Sequence, residues 1–112
     1  MKIAIPLAAG RLSMHFGHCE EFFLADVDEQ TRQITQSRRE QPPAHQPGVL
    51  PAWLHEQGAN VIIAGGMGQR AQQLFAQHDI DVVIGAGALP PEELIAAYLN
   101  DALQTGENIC DH

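Results

Sequence analysis

The sequence predicts one three-layer α/β domain, a mixed five-stranded sheet in the order 3-2-1-4-5 with three helices. Three observations lead there. The N-terminal half carries three strand-like runs, the second and third separated by a short polar turn. After Gly58, strand-like and helix-like segments alternate, the signature of parallel crossover units. Finally, 112 residues suffice for a single core and are too few for two. With one Trp, one Tyr and four Phe, that core must be built mainly from Ile, Leu, Val and Ala.

The run from Lys2 to Leu7 is apolar and meets a proline at Pro6, which suits a central strand whose last residues leave the ladder. From Glu21 to Asp28, Phe22, Phe23, Leu24, Ala25 and Val27 supply a second strand, and Asp28-Glu29-Gln30 a turn. The third, about Arg32 to Arg39, is polar and suits an edge guarded by charge, pairing back as an antiparallel hairpin. Gln41 to Gly48 holds three prolines and reads as a rigid connection. His45 within it is either a solvated loop histidine or a further metal ligand brought in by the fold. Pro51 suits the first turn of a helix to Gln57, with Leu50, Trp53 and Leu54 inward, His55 on the surface and Gly58 as the stop.

Asn60 to Ala64 reads as a buried strand, followed by Gly65-Gly66-Met67-Gly68 and a helix to about His78. Met67, Ala71, Leu74, Phe75 and His78 fall on one face, with His78 reading as a cap. Asp81 to Ile84 is the next strand, Gly85-Ala86-Gly87 its exit, and Pro90-Pro91 the start of the last helix. Leu94, Ile95, Tyr98, Leu99 and Leu103 form the buried stripe of that helix. Residues 1–103 therefore make one domain, and 104–112 a flexible polar tail ending in Cys110-Asp111-His112. With right-handed crossovers, the glycine loops lie at the carboxyl ends of the parallel strands, where open α/β sheets bind ligands. The loop from Ala8 to Cys19 leaves the same end.

Composition narrows the function. A net charge of −8, with no basic run beyond Arg38-Arg39, argues against nucleic acid as a partner. The chain opens directly into a strand and has no long apolar stretch, so neither a signal peptide nor a membrane span is expected, and the expected location is cytoplasmic. In a reducing compartment, two cysteines far apart in sequence more often stay thiols or bind metal, although a Cys19–Cys110 disulfide is left open.

The chemistry concentrates in Ser13-Met14-His15-Phe16-Gly17-His18-Cys19, which offers two imidazoles and a thiol within five residues. The second cysteine sits beside another histidine, in Cys110-Asp111-His112. Thiolate and imidazole suit zinc and iron–sulfur clusters, so His15, His18, Cys19, Cys110 and His112 are the candidate metal ligands. Taken singly, each has a plainer reading: polar loop histidines, a small buried cysteine, a frayed tail. As a loop residue Cys19 is expected to add little packing. The Gly65-Gly66-Met67-Gly68 loop offers backbone N–H groups and a helix start to an anion, and metal–sulfur clusters are anionic. Met67 offers a soft contact or, more ordinarily, core packing.

Lys2-Ile3-Ala4-Ile5-Pro6, Met14-His15-Phe16-Gly17, the strand ending in Asp26-Val27, the run from Val61 to Gly68 and the Leu94 to Leu103 helix together resemble the dinitrogenase iron–molybdenum cofactor biosynthesis family. The resemblance implies a ribonuclease H-like fold and a small protein that carries or stores iron–sulfur and molybdenum-containing clusters. It carries over to His15 and to Gly65, Gly66, Met67 and Gly68; the case for the other ligands rests on their chemistry. Nuclease activity is not expected, because the central strands lack the carboxylates that would hold two magnesium ions.

The sequence thus leads to a non-catalytic metallocluster-binding protein, a carrier, scaffold or store for an iron–sulfur or iron–molybdenum type cluster. Its partners would be cluster donor or acceptor proteins. Two readings stand beside it: a small metal-free regulatory or partner-binding domain, and a mononuclear zinc protein using the same residues.

Overall fold

The computed structural model describes residues 1–14, 19–43, 48–103 and 105–106. In chain order the elements are β1 (Lys2–Ala8), β2 (Arg11–Leu12), β3 (Glu21–Asp28), β4 (Gln33–Glu40), α1 (Val49–Glu56), β5 (Val61–Ile63), α2 (Gln69–Gln77), β6 (Asp81–Val83) and α3 (Pro91–Leu99). Among the described residues the sheet has six strands, along the path β4-β3-β1-β5-β6 with β2 on β1. β3 pairs antiparallel with β1 and β4, and β5 parallel with β1 and β6.

The expected five strands and their order omit β2, and the reason is local. β5 pairs with β1 only at Ile3 and Ala4. Further along, the chain turns at Ala9 and Gly10, both with positive φ (54° and 79°), and folds back so that Leu7 pairs with Leu12 and Ala8 with Arg11. Two consecutive residues of positive φ make the tight hairpin that matches strand twist. Pro6 therefore does not end the strand: β1 runs on to Ala8, and the Pro6 carbonyl accepts the Ser13 N–H at 2.8 Å.

Alternation along β1 and β3 sends side chains to two cores. Ile3, Ile5, Leu7, Phe23, Ala25, Val27, Val61 and Ile63 face α3, which covers them with Leu94 and Ile95. Ala4, Phe22, Leu24, Ile62 and Ala64 face α1 and α2, which contribute Leu50, Leu54 and Phe75. Trp53 is half-buried with its ring 5.6 Å from that of Phe22. β4 is exposed along most of its length and carries Arg38 and Arg39 on the sheet edge, paired with Glu40 and Glu21.

All three helices stop the same way, at a residue of positive φ followed by a hydrogen bond back across the last turn. In α1 this residue is Gly58, and Ala59 N–H reaches the Leu54 carbonyl at 3.0 Å. In α2 it is Asp79, after the cap residue His78, and Ile80 N–H reaches Phe75 at 3.0 Å. In α3 it is Asp101, and Ala102 N–H reaches Ala97 at 2.7 Å. The last helix thus ends at Leu99, short of the stripe drawn through Leu103; Leu103 still packs on the core, from the chain beyond the cap.

Candidate metal centre

The carboxyl ends of β1, β5 and β6 are joined by a row of close backbone contacts, and the first of them leaves little room for a side chain. A Cβ on Gly65 would stand 3.1 Å from the Met14 Cα and 3.1 Å from Leu12 Cδ2, so the chain entering residues 15–18 lies directly on Gly65. Gly85 N–H donates to the Gly65 carbonyl at 3.0 Å, and Gly106 N–H donates to the Gly85 carbonyl at 2.7 Å. Gly85 has φ +86°, and a Cβ there would run into the Gly106 backbone. The row Met14–Gly65–Gly85–Gly106 therefore links the approach to the His15–Cys19 loop with the start of the C-terminal segment.

Both flanks of residues 15–18 are tied to β1. Before them, Ser13 N–H binds the Pro6 carbonyl; after them, Glu20 N–H binds the Leu7 carbonyl at 2.7 Å. The Glu20 carboxylate accepts the Ala9 N–H at 2.7 Å and so latches the β1–β2 turn to the loop exit. Neither the latch nor the glycine row was visible in the sequence, since both depend on residues distant in the chain.

Cys19 is half-buried against the core that contains Phe22 and Leu24, which corrects the expectation of a loop cysteine with little packing. Burial pushes its thiol up to about 11, against the opposing pull of a backbone hydrogen bond. A thiol in this setting stays protonated near neutral pH, and a metal ion is the kind of partner that displaces such a proton. Met67 is 1 % exposed and sits in the same core, so its side chain serves packing. Gly65 and Gly66 are buried too, and Gly68 is the open end of the loop: a Cβ there would meet nothing within 4 Å. Gly68 caps α2 with no side-chain hydrogen bond, leaving the helix start available to an anion.

His15, His18, Cys110 and His112, together with His45, lie outside the described residues. Among the described residues no group of three or more His, Cys, Asp or Glu is gathered closely enough to hold a metal ion. Among the described residues, a cleft of about 540 Å³ is lined by Met1, Glu29, Arg32, Tyr98 and Asp101 among others, and not by Cys19. Burial, with Asp81, Asp101 and Glu29 nearby, raises the Tyr98 hydroxyl above its usual range. Among the described residues no helix is long and apolar enough to cross a membrane.

Fold and site together define a small α/β domain with a row of close glycine backbone contacts and a half-buried thiol. The chain belongs to the dinitrogenase iron-molybdenum cofactor family, whose sequence profile matches residues 1–101. It is a small cofactor-related protein. An uncharacterised protein of Methanocaldococcus jannaschii is 32% identical over 111 residues, which span 96% of this chain and 92% of the relative. The crystal structure of PH0822 superposes with a TM-score of 0.87 at 26% identity, covering 96% of each chain. The apo form of the orange protein from Desulfovibrio gigas shares the fold, with a TM-score of 0.73, 20% identity, and coverage of 96% of this chain and 93% of that one. The profile match ends before Cys110 and His112.

Proposed function

We propose that the protein is a non-catalytic carrier, scaffold or store for an iron–sulfur or iron–molybdenum type cluster, held by Cys19 and Cys110 with His15, His18 and His112. The observation that supports this reading best is the glycine row, which brings the segment leading to Cys110 to the sheet end from which the His15–Cys19 loop departs. Cys110 follows Gly106 by four residues. Four residues reach at most about 14 Å, and neighbouring strands lie about 5 Å apart, so the segment is long enough to reach from Gly106 past Gly85 to the level of Gly65. In this reading the segment beyond Gly106, which the Gly85 carbonyl anchors, closes over the cargo.

The division of labour follows from residue chemistry. Thiolates and imidazoles bind the metals. The uncapped start of α2 beyond Gly68 faces the negative charge of the cluster. Family membership supports a cluster as cargo, and the three-layer mixed sheet supports a ribonuclease H-like kinship in fold. Cluster donor or acceptor proteins of the cytoplasm are the partners this role requires.

Anaerobic purification followed by iron, molybdenum and sulfide analysis and a visible spectrum tests the reading. A coloured protein with iron and sulfide, lost on Cys19→Ser, is the expected result. Colourless, metal-free protein after anaerobic reconstitution would favour a metal-free partner-binding domain, and zinc without colour a mononuclear zinc site.

A further inference from the structure

Two histidines that are not among the proposed cluster ligands come together elsewhere in the chain. His55 lies in the last turn of α1 and His78 caps α2, and their rings approach to 5.1 Å between centroids with planes tilted by 42°. The helix ends hold the two residues in place. Leu54, next to His55, and Phe75, one turn before His78, are both 0 % exposed in one core. The backbone bonds from Gly58 N–H to the His55 carbonyl and from His78 N–H to the Phe75 carbonyl, each 3.0 Å, fix the two termini. His55 itself is exposed, and His78 half-buried, so solvent ions reach the pair.

We infer that His55 and His78 form a divalent-metal site that bridges α1 and α2. A zinc ion sits about 2.0–2.1 Å from an imidazole nitrogen, which puts it about 3.2 Å from the ring centre. Two such rings meeting at a tetrahedral angle have centres about 5.2 Å apart. The observed 5.1 Å between ring centroids is close to that separation. Imidazole prefers borderline divalent ions such as zinc, nickel and copper, and water would complete the shell. The net charge of −8 favours a cation. Because the two histidines belong to different helices, the ion binds the folded chain and not the unfolded one, and therefore stabilises the fold. The site uses none of the proposed cluster ligands.

Zinc chloride titrated into the full chain, with the imidazole resonances of His55 and His78 followed by NMR, tests the site residue by residue. Both rings are expected to shift along one binding curve, and the melting temperature to rise with zinc. His55→Ala should weaken zinc binding at His78 by more than about tenfold, and His78→Ala should do the same at His55. Either change should remove the zinc-dependent rise in melting temperature that this pair supplies. Backbone spectra of the variants that overlay the parent show that the fold is kept. Rings that respond at different zinc concentrations, or not at all, would overturn the inference. So would unchanged binding at His78 in His55→Ala.

Discussion

Gly85→Ala and Gly106→Ala give a paired prediction, because the two residues touch yet only one of them needs to be glycine. Gly85 has φ +86°, and its new Cβ would overlap the Gly106 carbonyl. The first effect costs about 1–2 kcal/mol for a non-glycine residue in the left-handed region. The second forces Gly106 away and breaks its 2.7 Å hydrogen bond to the Gly85 carbonyl, about 0.5–1.5 kcal/mol more. Alanine's lower freedom in the unfolded chain adds an opposing destabilisation of that state and returns about 0.4–1 kcal/mol. The net is a loss of about 2 kcal/mol, or roughly 6–12 °C in melting temperature for a chain of this size. A Cβ on Gly106 would sit 3.9 Å from the Gly85 carbonyl, an ordinary contact. Gly106→Ala should therefore stay within about 0.5 kcal/mol of the parent. Thermal melts of the metal-free proteins decide the matter, with hydrogen exchange at residue 106 reporting release of the segment. Equal losses for the two variants, or a neutral Gly85→Ala, would refute the packing described for the glycine row.

Three further outcomes follow from burial. Cys19, with its thiol pushed up to about 11, should be alkylated slowly in the metal-free fold. At pH 8 its thiolate fraction is about 100-fold below that of an ordinary thiol, and its greater intrinsic nucleophilicity restores about tenfold, so site-resolved mass spectrometry should find it about tenfold slower than in the denatured chain. Because the folded state holds the proton more tightly, the stability linked to Cys19 is complete below about pH 9 and is lost as pH rises through about 11, which alkaline melts would detect. Phe75→Ala, at a position 0 % exposed that also anchors the end of α2, should cost about 3–5 kcal/mol in denaturant unfolding.

What could be read from the sequence divides along physical lines. Periodicity exposed the apolar faces: Ile3 and Ile5 against Ala4 along β1, Leu50 and Leu54 in α1, Leu94 and Ile95 in α3. Turn residues marked Gly58 as a helix stop, but the stops at Asp79 and Asp101 carry no such sign, and α3 was drawn past its end. β2 escaped because two residues have no period, and its only local trace is Ala9-Gly10 in a tight turn. Cys19 showed its chemistry but not its environment, since its packing against the core that contains Phe22 and Leu24 depends on contacts between distant elements. The His55–His78 approach joins residues 23 apart through the packing of two helices, and each histidine alone looked like surface or cap.

The most direct measurement is X-ray absorption at the iron edge of anaerobically loaded protein, recorded for the parent, Cys19→Ser and a chain ending at residue 103. Sulfur and nitrogen scatterers around iron are predicted for the parent, with protein sulfur lost in each variant and faster loss of iron from the shortened chain. Iron surrounded by oxygen alone, or spectra identical in all three proteins, would contradict a cluster held between the His15–Cys19 loop and the C-terminal arm.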